Sequence, residues 1–348
     1  MRHTTLPVVA IASWLVLTGV VPLAALAAQA DRNEQRLNVE VLKTLDAQGG
    51  YIRLEGKTLF LTSDLQQDPR PGYWFDLAAD PRSPSLVCGS LPCGWDVAVA
   101  GDDAFLCDYT KFLTVYDTRD RHWQQTARLP MPSMTENIII RGKLAYVANH
   151  VAGLTIVDIS RPSKPFIVGS FNPQIDCDAI GFWHDCAILY GHWESRLVLV
   201  EVSDPTNPRQ TGVYQHDPKT FNQGEMAVDG GFAYCTALTG MVIVNVAEPK
   251  HPKLAKSVVI QGRITDVVVS DGYAFVAAGA SGVRVFDVRD PNDPRETGYY
   301  QTADKFVASQ IAVRRVDGGS GYYLYVANSK GPARVLLFDA PLRGDNRK

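Results

Sequence analysis

Three histidines in the middle of the chain, His150, His192 and His216, each lie in a polar loop between apolar runs. An imidazole changes charge near neutral pH and ligates metals when neutral, so each is a candidate general base or metal ligand. Carboxylates and amides recur at comparable places. Asp96, Asn137, Asp178, Glu225, Asp266 and Gln310 each begin an apolar run, whereas Asp108, Asn149, Glu194, Asn328 and Lys330 stand at or just beyond the end of one. Converging carboxylates and imidazoles can hold a divalent cation or move protons on a polar substrate. They can equally line a watery channel in which polar side chains hydrogen-bond one another. No nucleophile elbow, phosphate-cradling glycine loop or His-Glu-x-x-His zinc motif accompanies them.

The elements that must position these residues repeat. A strand such as Leu144-Ala-Tyr-Val-Ala leads through a short polar loop to a second one, Leu154-Thr-Ile-Val-Asp-Ile-Ser, followed by Pro162 and Pro165. Further copies of that second strand centre on Asp76, Asp117, Glu201, Asn245, Asp287 and Asp339. With Asp158 included, the steps between successive marks are 41, 41, 43, 44, 42 and 52 residues. A period of about 40 to 45 residues with several short strands is that of a β-propeller blade, and no helical periodicity competes with it. Strands that read as unbroken apolar runs, such as Ile138-Ile-Ile and Val267-Val-Val, suit blades packed on both faces. The expected fold is all-β: a seven-bladed β-propeller of four-stranded antiparallel blades, with repeats at about 50–89, 94–129, 136–170, 177–212, 224–257, 264–299 and 308–340.

The residues Gly153-Leu-Thr-Ile-Val-Asp-Ile-Ser-x-Pro-x-x-Pro resemble the LVIVD-repeat family of exported or cell-surface bacterial and archaeal proteins. The resemblance implies a β-propeller outside the cytoplasm and brings no catalytic motif with it. Copies one, two and seven depart from the pattern. Blade two has Arg121-His-Trp123 in place of the prolines, and blade seven carries the insertion Asp317-Gly-Gly-Ser-Gly321.

After Asp339 only nine residues remain, too few for a last outer strand. The segment 37–45 has outer-strand character and is expected to pair with the strand around Val335 to Phe338, closing the ring. The Asp before each proline turn is read as structural, because an Asp side chain there accepts from the backbone N–H two residues on. In a propeller, the loop leading to the innermost strand and the loop after the second strand share one face, around the central channel. That places Tyr51, Asp96, Asn137, Asp178 (one residue out of register), Glu225, Asp266, Gln310, Asn149 and Asn328 in an acidic, amide-rich funnel. His150, His192 and His216 fall on the same face. Next to Glu225 and Asp178 they form the one cluster with both general-base and metal-ligand character, so a divalent cation in the funnel is an open reading.

The chain has 34 basic and 37 acidic residues, a net charge of -3 that gives no electrostatic reason to bind nucleic acid. Residues 1–30 carry Arg2, an apolar run from Leu6 to Leu26 and the ending Ala28-Gln29-Ala30. They read as a cleaved signal peptide, leaving a single propeller domain over 31–348 with no membrane span in the periplasm or outside the cell. An exported chain permits disulfides, and Cys88 and Cys93 are the pair close enough in sequence to close easily, whereas Cys235 reads as a buried thiol. The expected function is a binding module that presents its funnel and top loops to a partner protein or a polar ligand such as a glycan. The rival is a funnel-site enzyme, a lyase, isomerase or hydrolase, metal-assisted or not, acting on a small polar substrate.

Overall fold

The computed structural model describes residues 35–62, 71–120, 122–217, 219–301 and 306–340. The expected signal peptide, 1–30, lies outside them. The described residues form seven antiparallel sheets. Blade three shows the common plan, running Asn137–Arg141, Leu144–Ala148, Leu154–Asp158 and Phe166–Phe171 from the axis outward. Seven inner strands surround the axis: Tyr51–Glu55, Asp96–Ala100, Asn137–Arg141, Ala179–Trp183, Phe221–Asp229, Asp266–Ser270 and Ala308–Arg315. Each contacts the inner strand on either side, including the last against the first, so the ring is closed. Among the described residues no helix is long and apolar enough to cross a membrane.

Closure uses the N-terminal segment as the sequence suggests. Val39–Thr44 runs antiparallel to Arg334–Phe338 and supplies the outer strand of blade seven, with Val39 opposite Phe338. Val39 packs into a buried cluster with Tyr322, Leu336 and Phe338. A further strand, Gln35–Leu37, not expected from the sequence, adds a fifth strand to blade six against Tyr299, Tyr300 and Gln301. Asn38 turns the chain between the two sheets in a left-handed conformation (φ 53°), and its side-chain amide donates to the Thr297 carbonyl at 2.7 Å.

Both faces of most strands are buried because alternate side chains enter alternate interblade layers. Between blades four and five, for example, Ile188, Tyr190, Leu197 and Leu199 meet Phe221, Cys235, Val242 and Val244. Cys235 is fully buried there, and its thiol pKa is raised by burial. Gly169 and Gly212 occupy matching outer-strand positions, where a Cβ would run into the carbonyl oxygens of Pro205 and Pro249 in the next blade's turn. The Asp turns close as expected. Asp76, Asp158 and Asp287 accept from the N–H two residues on at 2.8, 2.8 and 3.1 Å, and Asn245 does the same at 3.0 Å.

The expected Cys88–Cys93 bridge is not formed. Cys88 lies in the strand Ser85–Leu91 and points into the cluster of Phe60, Leu91, Val97 and Leu106. Cys93 is buried beyond the end of that strand. Nearness in sequence did not serve the bridge because the strand extends the intervening residues and gives Cys88 to the blade packing.

Candidate functional site

The loop after the second strand of a blade reaches the start of the next blade on the funnel face. His150 bridges to Cys177, Asn328 to Gly49 and Gly279 to Ala308. Around the axis, the residues at the start of the inner strands form a belt. Asp96 accepts from the Ile138 N–H at 3.0 Å, Asn137 from Ile180 at 3.1 Å, Asp266 from Ile311 at 2.8 Å and Gln310 from Ile52 at 2.9 Å. In each case a side-chain oxygen of one blade clasps a backbone N–H of the following one. Asp96 also takes the Asn137 amide at 2.8 Å and stands 3.7 Å from Arg53. Glu225 lines the channel and accepts from Gln310 at 3.2 Å across it.

Burial raises the pKa values of these carboxyls, and at Glu225 crowding adds to it. Burial, then Asp266 and Asp96, push Glu225 well up against the pull of Arg53. Burial raises Asp266 to about 7 despite its backbone donors, and burial raises Asp96 against Arg53. Protonated, they remain hydrogen-bonding groups without net charge in a low-dielectric channel.

Asn149 and Asn328, read from the sequence as funnel residues, hold loops. Asn149 is fully buried; its amide donates to the carbonyls of Ser133 and Met134 at 2.7 and 2.9 Å, and Thr155 donates to its oxygen at 3.2 Å. Asn328 accepts from Val307 and Lys330, both at 3.0 Å, and donates to the Pro332 carbonyl at 3.1 Å.

Of the three histidines that the sequence places next to Glu225 and Asp178, His192 meets Asp178, while His150 and His216 have other partners. His216 is buried, stacked on Phe221 at 5.3 Å with its Nδ1 2.9 Å from the Tyr214 hydroxyl, and burial lowers its pKa. His192 is held by Asp178, whose Oδ2 accepts from the His192 backbone N–H at 3.0 Å and lies 2.6 Å from Nδ1. His150 sits between two carboxylates that the sequence reading passed over. Its Nε2 is 3.6 Å from Glu136 Oε1 and its Nδ1 is 2.9 Å from Asp176 Oδ1.

Register explains why they were missed. Asn137 and Ala179 are the true equivalents, paired with Ala148 and Tyr190. Asp178, one residue earlier, therefore matches Glu136. Blades three and four each present a carboxylate ahead of the inner strand and a histidine after the second strand. Glu136 shares a hydrogen bond with Asp178, and burial followed by Asp178 and Asp176 raises its pKa to about 10. Asp176 is raised by burial against the opposing charge of His150. Scanning the residues just before each inner strand, rather than its first position alone, would have found both.

A row of rings leads to this cluster. Tyr51 stacks on Trp95 at 5.5 Å, Trp95 on Tyr109 at 4.1 Å, and Tyr109 meets the His150 ring edge-on at 6.1 Å. The three aromatic residues come from blades one and two, beside the positions of Asp96 and Asp108.

Among known proteins, the LVIVD repeat pattern matches residues 132–173, 223–259 and 261–302, which are blades three, five and six with their approaches. No curated protein matches the chain. The WD40 domain of Toxoplasma gondii coronin is similar in structure at 9% identity, with a TM-score of 0.64 over 90% of this chain and 88% of that one. A functionally unknown protein from Desulfotomaculum acetoxidans is similar at 15% identity and a TM-score of 0.58, covering 72% of this chain and 86% of its own. A protein from Lactobacillus plantarum gives 14% identity and a TM-score of 0.58 over 73% and 88% of the two chains. Such identities speak for the fold alone. Fold and repeat agree, and the chain is a seven-bladed β-propeller carrying LVIVD repeats.

Proposed function

We propose that the protein is an exported binding propeller that receives a partner protein on its funnel face. The observation that carries this reading is a set of apolar loop tips in consecutive blades: Val151, Trp193 and Leu238, all more than half exposed, with Trp193 at 70%. Val259, 85% exposed, ends the outer strand of blade five opposite Gly240, next to the Leu238 loop. Scattered exposed aliphatics are ordinary, but a Trp at a loop tip among other apolar tips is the usual anchor of a protein contact. The mouth carboxyls offer hydrogen bonds with little net charge, so the complementary surface is apolar with polar hydrogen-bonding groups at its centre. The test is photo-crosslinking in the source organism from a reactive residue placed at Trp193, with one at the outer-strand residue Phe166 as control. A discrete adduct from position 193 alone supports the reading; identical adducts from both positions, or none from 193, refute it.

A second reading, a polar ligand such as a glycan or a small substrate turned over in the funnel, is favoured by the aromatic row. Trp95 Nε1 is a buried donor with no hydrogen-bond partner at the centre of that row. A ligand seated there would alter the tryptophan fluorescence of the wild type and not that of Trp95→Phe. Turnover would further require Glu136, His150 or Asp176.

A further inference from the structure

We propose that Glu136, His150 and Asp176 bind a divalent transition-metal cation of the zinc class at the junction of blades three and four. One donor atom from each of the three residues can be chosen so that all lie within 4.8 Å of one another. Zinc holds imidazole nitrogen and carboxylate oxygen at roughly 2.0 to 2.2 Å, which puts neighbouring donors about 3 to 3.5 Å apart in a tetrahedral shell. The 2.9 Å between His150 Nδ1 and Asp176 Oδ1 lies at the short end of that spacing; the 3.6 Å contact to Glu136 is made by the other ring nitrogen, Nε2, so one ion takes a single ring nitrogen and one oxygen from each carboxylate, all within 4.8 Å of one another.

The donor set is mixed, and this chooses the metal. One imidazole with two carboxylates suits zinc or manganese, whereas calcium and magnesium take oxygen ligands almost exclusively. Three protein ligands leave room for water or a ligand atom on the funnel side.

An independent observation points to a missing partner. His150 Nδ1 and Asp176 Oδ1 are both shielded from solvent, and neither makes a hydrogen bond. They stand 2.9 Å apart without the alignment a hydrogen bond requires. Buried polar atoms are satisfied as a rule, and leaving a donor or acceptor unmet is costly. A cation bound by Nδ1 and Oδ1 satisfies both atoms together.

The triad is also well supported. Glu136 has a side chain only 6% exposed and is fixed by its backbone, whose N–H donates to the Ala148 carbonyl at 3.0 Å. The His150 carbonyl accepts from Gly153 and Cys177 at 2.9 and 3.1 Å, pinning the loop across the blade junction. The Asp176 N–H donates to Glu194 at 3.2 Å. Ligands held by the backbone of two adjacent blades are pre-positioned, so binding a metal also staples blade three to blade four.

The site differs from the partner surface proposed above and stands without it. The test is calorimetric titration of the chelator-stripped protein with Zn²⁺, and the Co²⁺ form is read by its visible absorption. One equivalent per chain is expected. Glu136→Gln, Asp176→Asn and His150→Asn should each weaken Zn²⁺ binding by more than the ~10- to 100-fold typical of losing a group that merely orients a ligand. Asn is chosen at 150 because that residue has φ 46°, which Asn tolerates well. His251→Ala removes an exposed histidine 3.9 Å from Glu248 on the opposite face and should change nothing. If the wild type takes up no Zn²⁺, or if uptake survives all three substitutions, the proposal fails. Loss of uptake in His251→Ala would assign it to an adventitious surface pair instead, which also overturns it. Since the three variants alter separate residues, misfolding of one, detected by its melting curve, leaves the other two to decide.

Discussion

Asp96 and Asp266 each give an oxygen to the backbone N–H of an isoleucine in the following blade, at 3.0 and 2.8 Å. Asp176, at the mouth and of the same residue type, has a shielded Oδ1 that makes no hydrogen bond, although His150 Nδ1 stands 2.9 Å away. The axis belt and the mouth of blades three and four are thus built from the same chemistry with opposite outcomes. What separates them is the backbone. At the start of an inner strand, the next blade aims an N–H inward; Asp176, three residues ahead of Ala179, meets none. A polar side chain at the first position becomes part of the scaffold, whereas Asp176, ahead of it, is left for a ligand.

Opening the ring attacks the scaffold side most severely. Deleting residues 35–44 removes the outer strand of blade seven and the fifth strand of blade six. It exposes the edge of Arg334–Phe338 and frees blades seven and one to part, which breaks the Gln310 clasp to Ile52. Cooperative thermal unfolding should be lost and dye-accessible apolar surface should appear. A sharp, unshifted transition would show that the clasps alone close the ring.

Next in size is the clasp itself. Asp266→Ala strips the Ile311 N–H of its acceptor in a buried site and should cost ~1–3 kcal/mol in denaturant unfolding. Asp266→Asn keeps an acceptor oxygen there and removes a charge from a crowded channel, so its loss should be smaller. Equal losses would mean that the charge, and not the hydrogen bond, holds the blades.

The same residue predicts a pH dependence. The folded pKa of Asp266 is about 7, raised from 3.8 mainly by burial. The native state therefore keeps a proton that the unfolded chain has released, and stability falls as pH rises from about 4 through about 7. Asp96 and Glu225 are raised in the same direction. The melting temperature should be higher at pH 5 than at pH 8, with a shallower slope in Asp266→Asn. A melting temperature that climbs over this interval would contradict the account of a crowded, partly protonated axis.

The smallest stability effect belongs to the loop tips. Trp193→Ala should change unfolding free energy by no more than about 0.5 kcal/mol, as surface substitutions do. Its effect should fall on crosslinking and partner capture instead.

Blade number, the closing strand and the Asp turns were legible because each is written in local pattern: apolar runs, a proline pair and an acid at a fixed step. Gln35–Leu37 escaped because three exposed residues carry no hydrophobic signal. The candidate site was only half legible. His150 could be placed on the funnel face from its loop, yet its partners depend on register and on the next blade, and no spacing within one repeat encodes them. The repeat alone sets Asp96, Asn137, Asp266 and Gln310 at the inner strands; that each meets an isoleucine N–H in the neighbouring blade is a fact of ring geometry. Cys88 and Cys93 show the reverse case, where proximity along the chain suggested a bond that the strand's extension does not make.

The central claim is that the axis carboxylates hold the ring while the mouth triad is held by it. Paired melting curves of Asp96→Ala and Asp176→Ala, recorded in the presence of chelator, test this most directly. Asp96→Ala removes the acceptor for Val97, Ile138 and the Asn137 amide, and should lower the melting temperature clearly. Asp176→Ala removes a buried oxygen without a donor and should leave the melting temperature unchanged or raise it, as substitution at a functional site commonly does. If Asp176→Ala destabilises the protein as much as Asp96→Ala does, the mouth carboxylates are scaffold like the rest, and the distinction between the two regions fails.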